Sequence, residues 1–262
     1  MIGLEITIDL PFKKKSGSTA RQFKWTIKTT SSAYTYSFNI ANSVTDYTID
    51  YGDGSDEQSG SKSHKYSTAG TYQITIYKDN EGTFPLVNLY TTSESSIVQS
   101  LDTPIPYIDN VTTMVAIFKN CAGLSTVADG LFDNNPQLTS VSQIFMNCRK
   151  LEKLPRYIFK KLVNCYVFEQ ALRGDRSLKV SSDWFCDEAT EMTTRFASYT
   201  NKVDFSNLLY RVTPQASSNN GTAPELWNYA YGAGVTSSSC FTGNGNSSTT
   251  LTNYSSIPSG WK

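Results

Sequence analysis

Phe118-Lys-Asn-Cys-Ala-Gly-Leu124 and Phe145-Met-Asn-Cys-Arg-Lys-Leu151 agree in Phe, Asn, Cys and Leu, each displaced by 27 residues. The register continues downstream in Val127-x3-Leu131-Phe132, Leu154-x3-Ile158-Phe159 and Val180-x3-Trp184-Phe185, whose phenylalanines are 27 and 26 residues apart. Upstream it recurs in Met114-x2-Ile117-Phe118, Val141-x2-Ile144-Phe145, Val167-Phe168 and Arg195-Phe196. A unit this short cannot close a core of its own, so neighbouring copies must stack and share one. Apolar residues three and four apart predict one face of a short helix in each unit. Ser140-Val-Ser-Gln143 opens one of them with a capping-box pattern. After each helix, Cys-x2-Leu-x2-[Leu/Val] turns the chain into a short extended segment, so parallel strands should line one side of the stack and helices the other. The shared core is expected to hold Phe118, Cys121, Leu124, Phe132, Phe145, Cys148, Leu151, Phe159, Phe168 and Phe185, with Phe118, Phe145 and Phe168 in one column. The third unit, Phe168 to Leu178, lacks Asn-Cys and reads as carrying a four-residue insertion.

Working outward, the first half has a different rhythm. Phe23–Thr29, Tyr34–Ile40, Asp46–Tyr51 and Thr71–Tyr77 alternate apolar and polar residues, are rich in aromatic and β-branched side chains, and end in Ser, Asn, Asp or Gly. Short strands at this spacing predict an antiparallel sandwich. Tyr51-Gly52-Asp53-Gly54-Ser55 interrupts them, followed by His64-Lys-Tyr66 and Gly70-Thr-Tyr72. Two glycines around an aspartate supply the positive φ of a tight turn, whose amides the carboxylate can accept. Asp50, Asp53, Asp56 and Glu57 also cluster oxygen donors of the kind calcium takes, a weak candidate site beside the simpler reading of an acidic, self-capped turn.

The chain has 262 residues, with 23 basic and 23 acidic side chains and a single histidine. Zero net charge argues against nucleic-acid binding, which needs a cationic surface. One histidine removes multi-histidine metal sites and most histidine-dependent catalysis. Ser and Thr together number 63, beside 16 Tyr and 13 Phe, a hydroxyl- and aromatic-rich composition suited to strands. No stretch approaches the roughly 20 apolar residues of a membrane-spanning helix. Residues 1–20 read as a strand arm and a basic linker through Lys13-Lys-Lys15, without the apolar core of an export signal. The five cysteines, Cys121, Cys148, Cys165, Cys186 and Cys240, are at least seventeen residues apart. That spacing suits buried free thiols better than a metal site. Gly232-Ala-Gly234 and Gly243-Asn-Gly245 lack the strand-to-helix context of a phosphate loop. Carboxylates that proximity alone offers for glycoside hydrolysis are Glu169, Asp175, Asp183, Asp187, Glu188 and Glu191.

The turn and the residues after it, over roughly 22–80, resemble the PKD-type immunoglobulin-like domain, with its W-G-D-G-[ST], H-x-Y and G-x-Y pieces in order and Tyr51 in place of the tryptophan. The repeats, from about 105 to 262, resemble BspA-type leucine-rich repeats, including the F-x-x-C-x-x-L family common in gut Bacteroidetes, Firmicutes and their phages. The resemblance implies that Tyr51, Gly52, Asp53, Gly54, His64, Tyr66, Gly70 and Tyr72 are structural, and that the Asn-Cys pair stacks between coils. Cys240-Phe241 with Leu251-Thr-Asn-Tyr254-Ser-Ser-Ile257-Pro258 would form a cap, and Thr222–Trp227 a last short helix with proline in its first turn.

The expected fold class is mixed β and α/β: a strand arm (1–20), a PKD/Ig-like β-sandwich (21–95) and a short leucine-rich-repeat solenoid of about five coils (96–262). The expected function is non-catalytic surface display or adhesion without a cofactor. A phage virion component (head or tail fibre, or capsid decoration) is favoured, forming a homo-oligomer on the virion surface. Its partners would be other virion proteins or a host surface protein or glycan. An extracellular-type architecture beginning at Met1 without an export signal motivates that preference. The alternative is a bacterial cell-surface adhesin or glycan-binding lipoprotein whose signal peptide has been removed.

Overall fold

A computed structural model describes residues 21–56, 58–78, 82–186, 194–212, 221–243 and 251–262; the expected arm at 1–20 and its lysine run lie outside them. Alternation in the first half produces strands where expected: β1 (Arg21–Thr29), β2 (Tyr34–Ser37), β3 (Asn39–Ile40), β4 (Thr48–Asp50), β5 (Gln58–Ser59), β6 (Ser63–Tyr66) and β7 (Gly70–Lys78). They are followed by β8 (Val87–Asn88), β9 (Val98–Leu101) and β10 (Thr126–Val127). One sheet has the order β10-β9-β1-β7-β4-β5, and two ribbons pair β2 with β6 and β3 with β8. Every second residue of β1 faces inward, burying Phe23, Trp25 and Ile27. The β2–β6 ribbon packs across them. Trp25 Nε1 donates to Tyr36 Oη at 3.1 Å, and Phe38 meets the Trp25 ring edge-on at 5.1 Å. Lys78 takes an inward position at the end of β7 and pairs with Asp46. The described chain is β-rich.

The sheet does not stop at residue 95. β9 pairs with β1 antiparallel on one edge and with β10 parallel on the other. β10 comes from the first repeat, so hydrogen bonding runs unbroken from the strands into the coils. Phe23 of β1 lies 6.5 Å from Phe118, and one buried core spans both halves.

From residue 113 onward the chain lays successive units parallel to one another. Bridges join Thr113 to Ser140, Ser140 to Val167 and Val167 to Asp204, and β11 (Val203–Asp204) pairs with β12 (Val235–Thr236). The steps are therefore 27, 27, 37 and 32 residues. Alternate N–H groups of one unit donate to the next: Met114, Ala116, Phe118 and Asn120 reach the carbonyls of Ser140, Ser142, Ile144 and Met146 at 2.8–3.2 Å. The same pattern continues from Val141, Gln143, Phe145 and Asn147 to the carbonyls of Val167, Glu169, Ala171 and Arg173. It recurs from Phe168 to Asp204 and from Phe205 to Thr236. The N–H groups between these close turns within their own unit, as Lys119 does to Ala116 and Cys121 to Phe118.

That division of donors explains a departure from expectation. The segments predicted as short helices are runs of turns, including the one opened by Ser140–Gln143. A helix would spend every N–H inside its own segment, whereas here half are needed between units. Left-handed residues enforce the break: Ala116, Gln143, Gln170, Asn207 and Ser239 have φ of 55–57°. Four residues later Asn120, Asn147, Gly174, Arg211 and Gly243 are left-handed as well. Regular helix among the described residues is confined to single 3-10 turns at Leu226–Asn228, Tyr254–Ser256 and Ser259–Trp261, apart from Thr194. The first replaces the expected final helix, and Pro224 precedes it rather than entering its first turn. Phe241 N–H donates to Trp261 O at 2.9 Å, joining the unit that holds Phe241 to the 3-10 turn at Ser259–Trp261.

The register of the third unit also differs. Ser140 pairs with Val167, so Phe168 occupies the column of Met114 and Val141, and Leu172 follows Phe118 and Phe145. No insertion interrupts 168–178; the extra ten residues come later, before Val203. Phe118 and Phe145 stack at 5.7 Å, while Phe168 stacks on Phe205 at 5.2 Å. A second column holds Phe132, Phe159 and Phe185, with successive separations of 6.3 and 5.2 Å. Such rings contribute about 1.5–3 kcal/mol each by burial. Cys121, Cys148, Leu124 and Leu151 are buried in the same core.

Candidate functional site

The Tyr51–Ser55 turn assembles as its residues require. Gly52 and Gly54 have φ of 74° and 79°, and a Cβ on Gly52 would lie 2.3 Å from Gln73 O. Only glycine fits there. Asp53 Oδ1 accepts Ser55 N–H at 3.1 Å and Ser55 Oγ–H at 2.6 Å, while Oδ2 meets His64 Nε2 at 2.7 Å. Burial pushes the Asp53 carboxyl up, but the bonds from Ser55 and His64 outweigh it and hold it below the usual carboxylate range. His64 stacks on Tyr51 at 4.4 Å. Tyr51 donates to Ser61 O, and Tyr66 donates to Tyr51 O and stacks on Tyr72 at 4.1 Å. Burial raises the Tyr51 hydroxyl to about 12. Gly70 leaves room for the Tyr72 ring, which a Cβ would approach to 2.9 Å.

The order Ser55–Asp53–His64 places the carboxylate between hydroxyl and imidazole, so this histidine cannot take the Ser55 proton as a general base would. Two of the calcium candidates are engaged locally, while Asp56 is exposed. Asp50 accepts Gly52 N–H at 2.8 Å, Asp53 is bound by Ser55 and His64, and Glu57 lies outside the described residues. No three His, Cys, Asp or Glu side chains converge on a metal position among the described residues.

The described glycosidase candidates each have partners other than a second carboxylate. Asp183 binds Arg156 and Ser181, and Glu169 accepts from Ser142 and Gln170. Asp187, Glu188 and Glu191 lie outside the described residues. Asp175 is fully buried in the column of Cys121 and Cys148, where Oδ1 accepts Cys148 N–H at 2.7 Å and Oδ2 has no partner. Desolvation pushes its carboxyl far above the usual range against that single hydrogen bond.

The Asn-Cys pairs serve the stack. Asn120 donates to Thr91 O at 2.7 Å and Asn147 to Asn120 Oδ1 at 3.0 Å, while the Cys121 and Cys148 thiols point to Leu89 O and Phe118 O. Asn164-Cys165 belongs elsewhere, in the column of Leu138, with Asn164 donating to Pro136 O. All five cysteines are buried and unpaired. Burial lifts the Cys121 and Cys165 thiols to about 12.

Outside the ladder the units present a polar face. Because Leu89 donates to Ile117 O as Phe118 does to Ile144 O, Tyr90 heads a column continued by Lys119, Met146, Arg173 and Tyr210. Lys119 lies 5.8 Å from the Tyr90 ring; the Arg173 and Arg211 guanidinium groups lie 4.9 and 5.1 Å from the Tyr210 ring. Comparison of the chain with protein-family models, curated proteins and solved structures found no match.

Two features escaped the sequence reading. The outer column depends on a register that begins at Leu89, upstream of any recognisable repeat. Arg195, read only as the neighbour of Phe196, donates to the carbonyls of Phe159, Lys160, Leu162 and Phe185 and lies over the Phe185 and Phe196 rings. It staples two coil ends beside a pocket of about 300 Å³. No local pattern marks a guanidinium for that task.

Proposed function

We propose that the chain is a non-catalytic attachment module, a PKD/Ig-like sandwich continued by a short BspA-type leucine-rich solenoid, carried on a phage virion as a fibre or capsid-decoration subunit. The observation that carries this reading is the set of five buried, unpaired cysteines. A protein assembled in a reducing cytoplasm keeps its thiols, whereas an exported surface domain more often oxidises them. The interlocked Tyr51, Asp53, His64, Tyr66 and Tyr72 support the sandwich assignment, and the 27-residue steps with their Asn-Cys ladder support the solenoid. The commitment of His64 to Asp53 and of Asp183 to Arg156 supports a binding role over catalysis. No helix among the described residues is long and apolar enough to cross a membrane.

Mass spectrometry of purified particles from cells producing this chain, with antibody labelling in the electron microscope, tests the proposal. Stoichiometric, symmetric labelling of particles is the expected result. Recovery in the bacterial envelope fraction with none on particles would overturn it and favour the adhesin.

A further inference from the structure

Three cations lie on the outer face of the coils, and among the described residues none of them forms an ion pair. Lys119 Nζ donates to Gln143 Oε1 at 2.8 Å, Arg173 Nη1 donates to Gln170 Oε1 at 3.1 Å, and Arg211 is exposed. The ion pairs of the coils, Arg149–Glu94 and Arg156–Asp183, involve other residues. Glu169 is the face's own acid beside them, held by Ser142 and Gln170 rather than by a cation. The Tyr210 ring is in contact with both guanidinium groups. It is therefore poorly placed to stack on a neutral sugar. A guanidinium lying against an aromatic ring still offers edge N–H donors, which suit a carboxylate or sulfate bidentately.

Spacing adds a second constraint. Adjacent units lie about 4.8 Å apart, as paired strands do, so the backbones of Lys119 and Arg173, two units apart, lie roughly 10 Å apart along the column. Amide side chains at Gln143 and Asn207 flank them in the left-handed column, while Gln170 is engaged by Arg173 and Glu169. The face has no free strand edge, because its alternate N–H groups are spent on the neighbouring unit. An extended peptide could not add there through its backbone.

We propose that the Lys119–Arg173–Arg211 face binds an acidic polysaccharide, one carrying carboxylate or sulfate groups. The assignment deepens the attachment reading and rests on it, yet its test does not involve particles. The full chain is titrated with a polyuronate, heparin, neutral dextran and poly-glutamate by biolayer interferometry at low and physiological salt. The expected result is binding to at least one acidic polysaccharide, weakening steeply with salt, and none to dextran. Arg173→Gln with Arg211→Gln should weaken it at least tenfold and Lys119→Gln about threefold, while Lys153→Gln, away from the column, leaves it unchanged. Matching thermal melts of all variants show that they fold. Absence of binding to either acidic polysaccharide, equal affinity in the double variant, or tighter binding of poly-glutamate overturns the assignment. A protein found on particles but failing this test would keep the attachment reading and lose its ligand.

Discussion

Asp175 gives the most demanding test of the stacked core. Its carboxyl is fully buried, Oδ1 accepts one backbone N–H and Oδ2 has no partner, so desolvation holds the folded chain's proton on far above the usual carboxylate range. In the unfolded chain the same group ionises near pH 3.9. Above that pH the folded state carries one more proton than the unfolded state. Each further pH unit therefore costs about 1.4 kcal/mol of stability until the folded group also ionises. The stabilising share is complete below the unfolded value and is lost as pH rises. Asp175→Asn removes the titration while keeping an oxygen for Cys148 N–H. Urea unfolding of both proteins at pH 5, 6 and 7 should show the wild type losing stability relative to the variant as pH rises, by at most about 1.4 kcal/mol per unit. At the acid end the variant should be the less stable, because its amide N–H groups enter a dry site. Parallel pH dependences for the two proteins would refute the argument, for then Asp175 either ionises in the fold or reaches water.

Phe145→Ala should cost about 3–5 kcal/mol in chemical unfolding, because the ring stacks between units and leaves a cavity. Gly52→Ala combines a positive φ with a 2.3 Å approach to Gln73 O; strain alone should cost about 1–3 kcal/mol, read as a lowered Tm. With thiols raised to about 12 at Cys121 and Cys165, the native chain should not react with an aromatic disulfide reagent at pH 8, and all five cysteines should react after denaturation. Leu101→Ala, on the β9 strand shared by sheet and coils, should cost about 2–5 kcal/mol and lower one common transition monitored at Trp25 and Trp184. Two separated transitions would contradict a continuous core.

Much of the first half was legible because each residue type had one local task. Gly52 and Gly54 announced a positive-φ turn, and Tyr66 and Tyr72 followed at the spacing of strands that cross it. The alternation in 21–29 and 70–78 marked the inward faces directly. In the second half the pitch was legible, since two units share Phe, Asn, Cys and Leu at one displacement. The division at residue 95 was not, because the pairing of β9 with β1 is decided by contacts more than seventy residues apart.

The misread parts share a cause. Helix and stacked turn place apolar residues at the same three- and four-residue intervals, so Ile117, Phe118 and Leu124 fit either. What separates them is the left-handed conformation at Ala116, Gln143 and Gln170, residue types that carry no such preference of their own. The conformation is imposed by the demand that alternate N–H groups reach the next unit. Phe168 was aligned by chemical likeness to Phe145, yet the hydrogen-bond register gives Leu172 that place and Phe168 the place of Val141. In a stacked core the backbone ladder fixes position, and any apolar side chain of fitting size can fill it. Asp175 shows how far that tolerance extends: the ladder carries a carboxyl group into a column of thiols, where burial pushes it well above the usual carboxylate range.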